Sequence, residues 1–142
     1  MADDERFVVR AYDELGRACV CDASAMKFTR LYSDESGGAK LEDVEVGFEQ
    51  AEFAPPAPPV DLAAAVPASA HLFIRAASGW FDPAHPAPAR QFMVLLTGVI
   101  EVEAGGQERR FNAGDVILAE DTDGQGHATR VIEDCVIAVT RL

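Results

Sequence analysis

Apolar and polar residues alternate along this chain far more often than they recur at helical spacing. Short runs rich in β-branched and aromatic residues fall at Phe7 to Val9, Ala18 to Cys21, Lys27 to Tyr32, Val44 to Phe48, His71 to Arg75, Phe92 to Leu96, Val99 to Glu103, Val116 to Leu118 and Cys135 to Thr140. Between them lie Ser36-Gly37-Gly38, Ala104-Gly105-Gly106, Asn112-Ala113-Gly114 and the stretch from Asp121 to Gly126, all residues that tolerate the positive φ of tight turns. Many short strands separated by turns predict an all-β sandwich or barrel. The clearest hairpin joins Val99 to Glu103 with Glu108 to Phe111 through a Gly-Gly turn. From Phe53 to Pro59 the chain reads Phe-Ala-Pro-Pro-Ala-Pro-Pro, with no backbone donor at four positions. That run predicts an extended loop crossing the surface or lying over a barrel mouth. Residues 1–25 are the least patterned and read as an N-terminal extension or edge strand, with extra N-terminal strands ahead of one domain over 26–142.

Composition narrows the partners. The 142 residues, 49% hydrophobic, fill one core without leaving chain for a second. No stretch approaches the roughly 18 consecutive apolar residues of a membrane span, and the acidic start Met1-Ala2-Asp3-Asp4-Glu5-Arg6 is unlike a signal peptide. A cytoplasmic location is expected. Acidic residues outnumber basic ones 24 to 12, for a net charge of −12. Nucleic acid and anionic membrane surfaces are therefore poor partners. Three cysteines are an odd number in a chain with an ordinary core, so Cys19, Cys21 and Cys135 read as reduced thiols and small apolar fillers.

From Gly79 the sequence runs Gly-Trp-Phe-Asp-Pro-Ala-His85-Pro-Ala87-Pro-Ala-Arg-Gln91-Phe-Met-Val-Leu-Leu-Thr-Gly98. It resembles the first motif of the cupin superfamily: Gly, five residues, His-x-His, three or four residues, Glu, six residues, Gly. Ala87 stands where the second histidine would be and Gln91 where the glutamate would be. Gly114-Asp115 followed by Gly124-Gln125-Gly126-His127 resembles the second motif, with Glu120 to Gly124 replacing the usual Pro-x-Gly and Val131 where an asparagine is common. The two motifs cover about Gly79 to Val131. The resemblance implies a cupin-type double-stranded β-helix, a jelly-roll barrel holding one small ligand.

Parity gives a site independently of the resemblance. Residues 85, 87, 89 and 91 point to one side of a strand, as do His127 and Thr129 on another, so His85, Gln91 and His127 converge inside a barrel. Met93 and Leu95 continue that face as an apolar floor. Trp80 and Phe81 wall the ligand. Glu120 and Asp121 form a carboxylate pair at the rim, one of them a general base. Arg90 has the opposite parity and pairs outward with an acid. His71 is structural or exposed.

Two imidazoles and an amide make a poor donor set for the divalent metal that the resemblance implies at His85, Gln91 and His127. The preferred expectation is a metal-independent enzyme acting on a small, largely apolar organic molecule by isomerisation, cyclisation or elimination. His85 and His127 serve as acid and base and Gln91 orients an oxygen. The alternatives are a metal-dependent cupin dioxygenase and a non-catalytic ligand-binding module. Small cupins commonly pair through edge strands, so a homodimer is expected. No phosphate loop, dinucleotide glycine pattern or serine nucleophile elbow occurs.

Overall fold

A computed structural model describes residues 25–142 and, before them, only the backbone of two short strands, β1 (Arg10–Tyr12) and β2 (Ala18–Val20), paired antiparallel. The strand expected at Phe7 to Val9, the packing of Cys19 and Cys21 and the role of the extension 1–25 lie outside the described residues.

The chain divides into two units. The first contains residues Met1–Lys27 and Glu45–Ala63, the second Phe28–Val44 and Ala64–Leu142. In the first, β5 (Glu49–Ala51) and β6 (Val60–Leu62) pair antiparallel. The proline-rich run is the exposed connection between them, because prolines that cannot donate are unsuited to a ladder and bridge one readily.

The second unit carries an eight-stranded sheet. Its path is β4 (Ala39–Val46), β3 (Met26–Ser33), β11 (Val116–Ala119), β9 (Gln91–Ala104), β12 (His127–Arg141) and β7 (Ala70–Ala76). Off that path β10 (Gln107–Asn112) pairs with β9 and β8 (Phe81–His85) with β12. β3 and β11 pair parallel, whereas β9 pairs antiparallel with β10, β11 and β12, and β12 antiparallel with β7 and β8. The two longest strands explain the architecture. One end of β9 pairs with β11 over residues 91–94 and the other with β10 over 99–104, while β12 pairs with β8 near its start and with β7 over 135–141. Both therefore run through two half-sheets, β4-β3-β11-β9-β12-β7 and β10-β9-β12-β8.

The halves close on each other over one core. Leu31, Leu95, Ile117, Ile137 and Val139 come from the first and Ile100, Val102, Phe111 and Val131 from the second, in a single buried cluster. Strands passing between facing half-sheets must bend. The β9/β12 register shifts at Val131 to Ile137, and Gly98 on β9 takes φ +85° there. A β-carbon on Gly98 would overlap the backbone carbonyl of Asp134. The all-β, cupin-type jelly-roll barrel expected from the sequence is thus the fold of this unit.

Differences from the expected strands have local causes. Phe92 to Leu96 and Val99 to Glu103 are one strand, β9, because Gly98 bends the ladder without ending it. The hairpin turns at Gly105-Gly106, both at positive φ, with Ala104 opposite Gln107. β8, Phe-Asp-Pro-Ala-His, carries a proline and few β-formers; its pairing with β12 overrides propensity. No helix among the described residues is long and apolar enough to cross a membrane.

Candidate functional site

His85 ends β8 and His127 begins β12, and the two are direct partners across that antiparallel pair. Their ring centres lie 6.3 Å apart. Gly126 makes the approach possible. At φ +73° it sets the turn into β12 against the His85-Pro86 backbone, which a β-carbon there would overlap.

Each ring is held by its own carboxylate. His127 Nδ1 lies 2.6 Å from Asp121 Oδ2, with the Asp121 side chain fully buried and the His127 side chain 12% exposed. A carboxylate oxygen at that distance accepts from the ring, which places the proton of the pair on Nδ1. Among the described residues no hydrogen bond engages Nε2, which keeps a free lone pair. His85 is bonded at both nitrogens: Nε2 is 2.7 Å from Asp82 Oδ2 and Nδ1 is 2.7 Å from the Pro86 carbonyl. Both partners accept, so the bound form is the doubly protonated imidazolium. The Asp82 hydrogen bond first, then the Pro86 carbonyl, raise its pKa above the ordinary histidine value. The arrangement therefore places a ring with an unengaged Nε2 beside a ring whose two nitrogens both donate.

Gln91 lies at the start of β9, opposite Ala119 of β11, and is buried. Asp121 follows Ala119 by two residues, and its carbonyl accepts from the Ala87 amide. Where the resemblance would put a second histidine, a buried alanine is tied by its backbone to the residue that holds His127. Thr129 is half-buried, opposite Val102 and Asp82.

Several expected site residues are placed otherwise. Glu120 is not a free carboxylate at a pocket rim, because it is held by the guanidinium groups of Arg30, at 2.6 Å, and Arg90. Burial pushes its pKa up, but the bonds and charges of the two arginines outweigh this and hold it below the usual value, which unsuits it as a general base. Phe81 does not wall the interior. It stacks under Arg130 and lines a small half-open depression with Glu101, Glu103 and Glu108. Their neighbours Val102 and Ala104 face the core, so this depression is on the outer face. Trp80 is half-exposed in the turn before β8. Leu95 is closed into the core and Met93 packs against it. The His85 side chain is 47% exposed, so the pair sits at a rim and not in a sealed cavity. His71 bonds Thr140 and meets the edge of Phe73.

The donor set does not fit a metal ion. Both nitrogens of His85 are bonded, His127 offers one, and the third member is a neutral amide. Among the described residues no group of three or more His, Cys, Asp or Glu side chains is placed to hold one. Sequence reasoning did not single out Asp82 and Asp121 as the partners of the two imidazoles. For Asp121 the signal was its shared parity with inward-facing Ile117 and Ala119.

No protein-family model matches the chain, and no curated protein matches it. Similar solved structures include KdgF from Halomonas sp., at 20% identity and TM-score 0.44 over 66% of this chain and 86% of that one. A cupin-2 domain protein from Shewanella frigidimarina is 15% identical, with TM-score 0.42 over 50% and 67% of the two chains. An RmlC-like cupin protein from Desulfovibrio desulfuricans is 14% identical, with TM-score 0.39 over 93% and 94%. These likenesses carry no residue role to this chain.

Proposed function

We propose that this chain is a cupin-type enzyme performing metal-independent proton transfer on a small organic molecule, with His127 as the base and His85 as a fixed positive charge. The supporting observation is the His127–Asp121 pair: a buried carboxylate on Nδ1 fixes the tautomer that leaves Nε2 able to take a proton. A C–H proton of the substrate passes to Nε2, and Asp121 stabilises the imidazolium that forms. The electron pair left behind delocalises onto a substrate oxygen facing the His85 imidazolium, which stabilises that charge without rearranging. Return of the proton to another carbon gives isomerisation; loss of a leaving group gives elimination. Both protons of His85 are already committed to Asp82 and Pro86, so it acts by charge before it acts as an acid.

The test is deuterium incorporation. Small carbon acids incubated with the protein in D2O should exchange, as read by NMR. H127Q should slow exchange by about 100-fold or more, and D121N should slow it by misplacing the tautomer. Exchange by H127Q at the unsubstituted rate would exclude the base. A substrate-free check is the 15N spectrum of the neutral His127 ring, which should show the tautomer protonated at Nδ1 and bare at Nε2.

A further inference from the structure

The two imidazole–carboxylate pairs leave a second polar group on the inner face unused. Arg141, Gln91 and Ala119 lie abreast on β12, β9 and β11, Arg141 opposite Gln91 and Gln91 opposite Ala119. Directly opposed residues of antiparallel strands project to the same face. The adjacent row, Val139, Met93 and Ile117, packs in or against the core. The Arg141–Gln91 row is therefore a polar layer over the apolar interior, and Asp121 follows two residues beyond its Ala119 end.

This layer is incompletely bonded. Gln91 is 7% exposed, and its Nε2 reaches only the Met93 sulfur at 3.7 Å, a weak acceptor. Gln91 Oε1, Arg141 Nε and, beyond the Ala119 end of the row, Asp121 Oδ1 are buried without a hydrogen-bond partner among the described residues; of the three only Arg141 Nε donates. Gln91 Oε1 and Arg141 Nε lie on strands roughly 5 Å apart, yet they do not bond each other. A layer serving stability alone would pair them or replace them with apolar groups, because unsatisfied buried polar atoms are destabilising.

We propose that Gln91 and Arg141 form a binding subsite for the carboxylate of a small hydroxylated organic acid. One carboxylate oxygen accepts from Arg141 Nε–H, and a neighbouring hydroxyl donates to Gln91 Oε1. The neutral amide at position 91 is what admits an anion. A glutamate there would pair with Arg141 and repel the ligand. This deepens the acid/base reading by naming its substrate class; it rests on that reading for what happens to the molecule, not for its binding.

The probes are glycolate and gluconate, with glycolamide and glucose as uncharged counterparts, titrated into the full chain and followed by calorimetry and backbone amide shifts. An acid should bind saturably and shift the amides of Gln91, Ala119 and Arg141, while its uncharged counterpart does not. R141M should weaken binding by about tenfold or more. Q91E should abolish it while raising Tm, because the new carboxylate pairs with Arg141. If R141M does not fold, R141Q, which keeps a polar side chain but carries no positive charge, replaces it. Unchanged affinity in a folded Arg141 variant, or equal binding of charged and uncharged probes, would overturn the subsite. The two readings separate cleanly. Acid binding that survives H127Q but not R141M supports the subsite whatever the turnover. Exchange of uncharged compounds without acid binding removes the subsite and leaves the base in place.

Discussion

At the scale of single residues, the two histidines are made different by their second nitrogens. Both contact a carboxylate, but His127 has a free Nε2 and a buried partner, whereas His85 spends both N–H groups on acceptors near solvent. The consequence for His85 can be measured. Its folded pKa is raised, chiefly by the Asp82 hydrogen bond and then by the Pro86 carbonyl. Its contribution to stability is therefore fully present below the ordinary histidine value of 6.5 and is lost as pH rises through the raised folded value. Solvent exposure of both partners keeps that contribution small. An NMR titration should find His85 titrating above the ordinary value, and D82N should bring it back down; no change in D82N would show that the pair does not hold the proton. Glu120 makes the contrasting case. It stood beside Asp121 as an equal candidate in the sequence, yet two arginines claim it whereas Asp121 is held by His127. Adjacent residues on an extended segment face opposite ways, and here that difference separates a surface ion pair from the site.

At the scale of elements, the site exists because a turn brings the end of β8 against the start of β12. Gly126 is the position where this can be broken. Its φ of +73° is strained for any other residue, and a β-carbon would overlap the His85-Pro86 backbone. G126A should cost about 1–3 kcal/mol from backbone strain alone, measured by urea denaturation. If it folds, the His85 and His127 resonances should shift as the strands separate. Stability and spectra like those of the unsubstituted chain would mean the close approach is not required. Most strands of the barrel were legible in their alternation, and the Gly105-Gly106 hairpin was legible to within a residue at each strand end, since Ala104 and Gln107 join the ladder. β8 was not, because a five-residue segment containing proline carries little propensity and owes its conformation to β12. Of the site, the cross-strand neighbours His85 and His127 were picked out by motif spacing. The shared parity expected from 85 to 91 does not apply, because residues 86–90 are a loop between β8 and β9 and no single strand carries both His85 and Gln91. Asp82 and Asp121 were not singled out as ring partners, because nothing local says which acid faces which imidazole. Arg141 was not, because a charged residue at the end of an apolar strand reads as solvated.

At the scale of the whole molecule, charge exerts an influence that no single contact reveals. A net charge of −12 on 142 residues is self-repelling in any compact state. Local pairs such as Arg30–Glu120–Arg90, Arg109–Asp43 and Arg110–Glu101 relieve it only in part. Raising ionic strength from about 0.01 M to about 0.15 M shortens the screening length from roughly 30 Å to roughly 8 Å. It weakens long-range repulsion more than it weakens direct ion-pair contacts. Tm should therefore rise with salt over that range in differential scanning calorimetry. A fall would mean that the paired charges outweigh the net field.

The sequence by itself determined the strand character, the turns and the acidic field, because each follows from local geometry or composition. Only the tertiary structure decided that β9 and β12 run through both half-sheets, that Asp121 takes His127 while Asp82 takes His85, and that Gln91 and Arg141 lie side by side with unpaired polar atoms. Those outcomes depend on which distant segments are brought into register, and register is set by burying one shared core, a property of all the strands together and of none alone.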